Sequence, residues 1–134
     1  MLIVDANILA YLVIEGERSN QARALLQKDY DWHSEAFIFV ELTNILATSL
    51  RLERVNFEYC RMVLERAEAF MGSTVHLTSH LEVIRTAHEF RISAYDARYI
   101  ALAREFGTPL ITEDAKLRRA VPRLTISLND ALEQ

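Results

Sequence analysis

Short apolar runs alternate with longer segments of helical periodicity along the whole chain. Apolar residues that recur every three or four positions mark the buried face of a helix, and short β-rich runs between turn residues mark strands. The pattern predicts strands at about residues 2–4, 31–34, 73–78, 110–112 and 124–127. It predicts helices over about residues 7–13, 36–50, 94–106 and 114–120, and further helices that begin at Ser19, Asn56 and about Leu81. In the last of these, the apolar positions Leu81, Ile84, Ala87 and Phe90 predict the buried face.

This alternation is typical of an α/β fold with a parallel sheet and helices on both faces. No internal repeat, low-complexity tract or Pro/Gly/Ser linker interrupts it, so we predict a single domain over residues 1–134. A chain of 134 residues with 51% hydrophobic residues can bury a full core without a disulfide or a structural metal.

The cysteine content and the apolar runs of the chain indicate where in the cell the protein is located. Cys60 is the single cysteine, which excludes an internal disulfide and fits a reducing compartment. The apolar run Ala36–Val40 is far too short to cross a bilayer, and Asp5 interrupts the N-terminal apolar run before any signal sequence develops. We therefore expect a soluble cytoplasmic protein with no membrane partner.

The net charge of −4 does not suggest a nucleic-acid partner, because phosphate binding usually needs a basic face. The basic residues are nevertheless almost all arginine, which binds phosphate in a bidentate manner. Bound divalent cations would also neutralise the charge of the acids that hold them. The net charge therefore does not exclude an RNA substrate.

Two predicted strands end in carboxylates. Asp5 follows the first strand, and Glu113 and Asp114 follow the strand at residues 110–112. Ligands bind at the carboxyl ends of parallel strands, and clustered acids are costly unless a cation lies among them. The alternative is that Asp5 and Asp114 are only helix N-caps, although Asn7 is a second capping candidate that would free Asp5.

Two further acids lie inside predicted helices. Glu41 is on or beside the apolar stripe of its helix, where a charge is expensive unless it is paired or bound to metal, and Asn44 is placed to hold its carboxylate. The alternative for Glu41 is a stripe-edge side chain that reaches solvent. Asp96 completes a capping box with Ser93, yet it shares the sheet-facing side of its helix with Tyr99.

These residues occur in four segments that together resemble the PIN domain, and most closely the VapC-type toxins: Ile3–Asn7, Glu41–Asn44, Tyr95–Ala103 and Leu110–Asp114. The resemblance covers essentially the whole chain. It implies a three-layer α/β/α sandwich with a central parallel sheet of four to five strands.

The resemblance also implies a site. Asp5, Glu41, Asp96 and Asp114 would be the catalytic acids that hold Mg²⁺ or Mn²⁺, with Asn7, Asn44 and Thr112 as supporting residues. The neighbouring Glu113 leaves open which acid faces the metal, and we favour Asp114. Lys116 and Arg118 are candidate phosphate contacts, although basic residues in the last turn of a helix are also favoured by its dipole.

The function implied is that of a Mg²⁺- or Mn²⁺-dependent endoribonuclease that leaves a 5′-phosphate and a 3′-hydroxyl. By resemblance it is the toxin of a VapBC-type pair, with RNA as substrate, an antitoxin as partner and a homodimer as the assembly. Alternatives are a housekeeping PIN ribonuclease without an antitoxin and a non-cleaving RNA-binding or regulatory module. A receiver or dehalogenase-type phosphoryl-transfer domain is disfavoured, because Asn7 stands where a second acid is wanted and lysine is scarce.

Overall fold

The computed structural model describes residues 1–134 and consists of five strands and eight helices. The strands are β1 (Leu2–Val4), β2 (Trp32–Glu35), β3 (Val75–His76), β4 (Leu110–Ile111) and β5 (Thr125–Ile126). The helices are α1 (Ala6–Val13), α2 (Ser19–Lys28), α3 (Phe37–Arg51), α4 (Phe57–Met71), α5 (His80–Phe90), α6 (Ala94–Phe106), α7 (Ala115–Ala120) and α8 (Leu128–Glu133).

All five strands are parallel and lie in the order β3-β2-β1-β4-β5. After β1 the chain adds β2 and β3 on one side of β1, and it then crosses over to add β4 and β5 on the other side. The direction in which strands are added therefore reverses between β1 and β4. Val4 at the end of β1 is in register with Ile111 at the end of β4. This reversal opens a crevice at the carboxyl edge, which is where ligands bind in open α/β sheets. The predicted parallel sheet of four to five strands is confirmed.

Helices cover the sheet in two groups. The helix α1 packs against α2, α3 and α4, and α8 packs against α2, whereas α5 packs against α6, which contacts β2 and β4. The core between these layers is apolar: Ile3, Leu42, Ile100 and Leu110 are all fully buried. No helix has both the length and the apolar character needed to cross a membrane.

The structure differs from the periodic pattern of the sequence in two helices, α8 and α5. The terminal helix α8 was not predicted, because six residues with apolar positions only at Leu128, Ala131 and Leu132 are too few to show a period. In α5, Leu81 and Ile84 are 55% and 63% exposed, while Val83 and Thr86 are buried. The apolar positions in the sequence therefore misidentified the face of α5 that packs against the protein.

One buried acid holds three elements together. The side chain of Glu35, at the end of β2, is fully buried. Its Oε1 accepts the backbone N–H of Phe37 at 2.7 Å, and its Oε2 accepts that of Thr78 at 2.9 Å. The guanidinium of Arg98 lies 3.7 Å from Oε2. Glu35 thus connects the start of α3, the segment after β3, and α6.

We predict that Glu35→Ala lowers the free energy of unfolding by about 3 kcal/mol, because it leaves two backbone donors and Arg98 without their acceptor. Urea denaturation measures the change. Glu68→Ala, at an exposed position of α4, is the matched control and should have little effect. Equal urea midpoints for Glu35→Ala and the wild type would contradict the role given to this carboxylate.

Candidate functional site

Two acids enter the crevice from neighbouring strand ends. Asp5 follows β1 and accepts the N–H of Ile8 through Oδ1 at 3.2 Å, and Asp114 accepts the N–H of Leu117 through Oδ1 at 3.1 Å. Both residues are therefore helix N-caps, for α1 and α7. The capping and functional interpretations are compatible, because each cap uses one carboxylate oxygen. The prediction that Asn7 caps in place of Asp5 is wrong, since Asn7 lies within α1.

Two more acids come from helices. Asp96 lies in the first turn of α6, where the hydroxyl of Ser93 accepts the Asp96 N–H at 3.1 Å and caps the helix, as predicted. Glu41 lies in the middle of α3. All four acids border one small cavity of about 80 Å³, which is lined by Asp5, Ala6, Asn7, Glu41, Asp96, Tyr99, Thr112, Asp114 and Leu117.

Tyr99 holds Glu41 in place. The buried Tyr99 hydroxyl donates a hydrogen bond to Oε1 of Glu41. Burial and the neighbouring Glu41 carboxylate raise the pKa of Tyr99, which keeps the phenol protonated as a donor. Asn44, predicted to support Glu41, is exposed and does not line the cavity. The sequence signal for Tyr99 was its position three residues after Asp96, on the same helix face.

Thr112 lies between the ends of the two strands that precede Asp5 and Asp114 and lines the cavity with them. This side chain is fully buried, and its hydroxyl oxygen accepts the N–H of Asp114 at 3.1 Å. A hydrogen bond with Thr112 also lowers the pKa of Asp5 and so partly opposes the effect of burial. A single hydroxyl therefore connects Asp5 to Asp114 across the ends of β1 and β4.

The cavity is electrostatically unfavourable for its own acids. Burial raises the pKa of Asp5 to about 6, and the charge of Glu41 contributes in the same direction. Burial and then the charge of Asp114 raise the pKa of Asp96. Burial also raises the pKa of Glu41, against the opposing hydrogen bond from Tyr99, and Asp96 adds to the increase. Each of these shifts favours the protonated, uncharged form.

No basic side chain neutralises these four acids. None of Asp5, Glu41, Asp96 and Asp114 takes part in an ion pair within 4.0 Å, although many acids elsewhere do. Glu113 shows the contrast, since it pairs with Arg18 at 2.8 Å and accepts the N–H of Leu128 at 2.7 Å. Those contacts outweigh burial and lower the pKa of Glu113. Asp114 lines the cavity and Glu113 does not.

The two candidate phosphate contacts differ in their surroundings. Arg118 donates to the carbonyl of Thr112 at 2.8 Å and lies 4.0 Å from Glu113, so it is occupied within the protein. Lys116 is exposed, and its charge lowers the pKa of Asp96 in part. Lys116 is therefore the more accessible cation near the cavity.

The donor set suits a hydrated, hard divalent cation. Four carboxylates surround space for an ion with several waters, and oxygen donors are what Mg²⁺ and Mn²⁺ prefer. No three acidic, histidine or cysteine side chains meet closely enough around one point to form a closed ligand set. That fits Mg²⁺, which keeps several waters and usually binds one or two carboxylates directly.

The chain is similar to known proteins over almost its whole length. The sequence model of the PIN domain family matches residues 2–121. The chain is 31% identical over 128 residues to a protein named Ribonuclease VapC3 from Pyrobaculum aerophilum, an alignment that covers 92% of this chain and 96% of the relative. The crystal structure of PAE2754 from Pyrobaculum aerophilum superposes with a TM-score of 0.79 at 23% identity, covering 98% of this chain and 93% of the other.

We predict that the metal-free protein loses stability as the pH rises from about 4 to about 6, because folded Asp5 keeps its proton where unfolded Asp5 has lost it. The shift in pKa from 3.8 to about 6 corresponds to about 3 kcal/mol. Asp5→Asn removes this cost and keeps an acceptor for Ile8, so it should be more stable than the wild type at pH 7 in EDTA. A wild-type stability that rises through this pH window, or an Asn variant that is less stable at pH 7, would contradict the prediction.

Proposed function

This chain belongs to the PIN domain family, and from that premise we propose that it is a Mg²⁺- or Mn²⁺-dependent endoribonuclease that hydrolyses RNA phosphodiester bonds. The observation that carries the proposal is the convergence of four acids at one sheet edge with no ion-pair partner within 4.0 Å. Outside the cavity, the acids that are not exposed are Asp29, Glu35 and Glu113, and each of them is paired with a positive charge. Perturbed and unpaired acids in a cavity are the mark of a working site.

We assign the acids roles according to how they are held. Asp5, Asp96 and Asp114 would hold the ion, partly through the waters that it keeps, and Glu41 would bind it directly or through water. A bound divalent cation supplies an activated water and neutralises charge on the phosphate. Burial raises the pKa of Glu41, which makes it a better proton acceptor than an ordinary carboxylate, and Tyr99 keeps its carboxylate oriented.

The remaining polar residues position the acids and the substrate. Thr112 fixes the strand ends that carry Asp5 and Asp114. Asn7 lines the cavity and can hydrogen-bond a bound water or phosphate oxygen. Lys116 is exposed near Asp96 and can contact the phosphate. We leave Arg118 and Asn44 out of the reacting centre on the contacts and exposure described above.

The finer proposal is that the protein is the toxin of a VapBC-type pair, acting in the cytoplasm as a homodimer that a cognate antitoxin inhibits. Its support is the similarity to Ribonuclease VapC3, which extends over almost the whole of both chains. The alternatives are a housekeeping PIN ribonuclease and a non-cleaving module. Growth arrest on expression, relieved by co-expressing a small neighbouring gene, distinguishes the toxin from the first, and RNA cleavage distinguishes it from the second.

We predict that Mn²⁺ at about a hundredfold its Kd raises the melting temperature by on the order of 10 °C, since binding to the folded state alone adds ~2.7 kcal/mol. Asp5→Asn should start from a higher metal-free melting temperature and gain less from Mn²⁺. Differential scanning calorimetry at constant ionic strength measures both. An equal increase in wild type and variant would remove Asp5 from the metal site.

We also predict that Asp96→Asn reduces RNA cleavage at least ~100-fold while leaving the fold intact, because it removes one of few charged ligands from the site. Asp130→Asn is a matched control: Asp130 occupies the same position after the capping Ser127 of α8, away from the cavity. Gel assays with a radiolabelled RNA and circular dichroism give the two readouts. A folded Asp96→Asn protein with wild-type cleavage would refute the catalytic assignment.

A further inference from the structure

Two aromatic rings on the helices that carry Glu41 and Asp96 lie stacked on each other. The rings of Phe37 and Tyr95 have centroids 5.3 Å apart and planes inclined by 11°. Phe37 begins α3, one turn before Glu41, and Tyr95 immediately precedes Asp96 in α6. Each ring is thus carried by the same helix as one of the cavity acids.

The ring of Phe37, which is the less exposed of the two, is fixed in position by its neighbours. The N–H of Phe37 is bonded to the fully buried Glu35, and the guanidinium of Arg98 lies 5.7 Å from the centroid of the Phe37 ring. Arg98 is itself held by Glu35, at 3.7 Å. A ring fixed in this way loses little conformational entropy when a further group stacks on the pair.

The ring of Tyr95 is exposed, and no contact within the fold explains its position. Tyr95 is 64% exposed, and its hydroxyl makes no hydrogen bond within the protein, whereas Tyr99 one turn later is buried and bonded to Glu41. Buried tyrosines usually bond their hydroxyl and bring apolar area into the core. Tyr95 does neither, so its ring adds little to the fold.

We propose that Tyr95, supported by Phe37, is the surface on which a nucleobase of the RNA substrate stacks beside the scissile phosphate. This inference rests on the proposed function. Proteins bind unpaired RNA by stacking splayed bases on aromatic rings and arginine planes. Such a surface needs an exposed rigid ring, a nearby cation and closeness to the reacting phosphate. The ring of Tyr95, the exposed Lys116 whose charge acts on Asp96, and the adjacent Asp96 meet these requirements.

A second copy of this chain is the competing occupant, because α5 also exposes Leu81 and Ile84. Those side chains are aliphatic and are carried by a helix that supplies no cavity acid. A stacked aromatic pair on the two helices that carry Glu41 and Asp96 is better explained by a planar ligand that must reach the cavity. We therefore assign the ring pair to a base.

The test compares Tyr95→Ala, Tyr95→Phe and a control on single-stranded oligoribonucleotides cut at one mapped position. The control is Tyr30→Ala, because Tyr30 is 81% exposed but precedes β2, at the opposite edge of the sheet. We expect Tyr95→Ala to raise KM about tenfold with kcat within about twofold of wild type. Tyr95→Phe and Tyr30→Ala should match the wild type, because stacking needs the ring and not the hydroxyl.

The second arm uses oligonucleotides with an abasic nucleotide on either side of the cut. One abasic position should cost the wild type about tenfold in kcat/KM and cost Tyr95→Ala almost nothing, since the two changes remove the same contact. Equal KM values for Tyr95→Ala and the wild type would overturn the inference, as would equal abasic penalties. Light scattering that shows Tyr95→Ala losing a dimer together with its activity would instead assign the ring to a second copy. Absence of cleavage by the wild type would refute the proposed function itself.

Discussion

Repulsion among carboxylates in one small cavity is the constraint on which the site depends. Burial and mutual charge favour the protonated forms of Asp5, Glu41 and Asp96, and no basic residue lies close enough to pair with them. The protein tolerates this cost because neutral donors hold the acids: backbone N–H groups hold Asp5 and Asp114, and a phenol holds Glu41. Such donors fix orientation without removing charge, so the negative charge stays available to a cation.

The fold explains why these acids meet. The strand order reverses between β1 and β4, so these two strands end side by side, and the short segments that follow them begin the helices α1 and α7. The caps set the direction of each carboxylate, and α3 and α6 deliver the other two acids from the helical layers. Elsewhere, the buried Glu35 lies beside Arg98 and the half-buried Glu113 lies beside Arg18. The positions of these arginines thus separate two structural acids from the acids of the cavity.

Much of the fold and of the candidate site could be predicted from the sequence. The features that could not be predicted have physical explanations. The strand-end positions of Asp5 and Asp114 followed from short apolar runs, and the parallel sheet followed from their alternation with helices. The hydrogen-bond partner of Glu41 could not be predicted in this way, because the sequence offers Asn44 on the same helix, whereas the actual donor, Tyr99, is 58 residues away. Glu35 was missed because a single acid at the end of a weak strand has no periodic signal. The buried face of α5 was misjudged because Leu81 and Ile84 are apolar but exposed.

Anomalous diffraction from crystals soaked in Mn²⁺ is the most direct test that the acids hold a divalent cation. We expect an anomalous peak inside the cavity bordered by Asp5, Asp96 and Asp114, with waters completing the coordination, and loss of that peak in Asp5→Asn crystals treated identically. A cavity without anomalous density at saturating Mn²⁺, or a peak unaffected by the substitution, would contradict it.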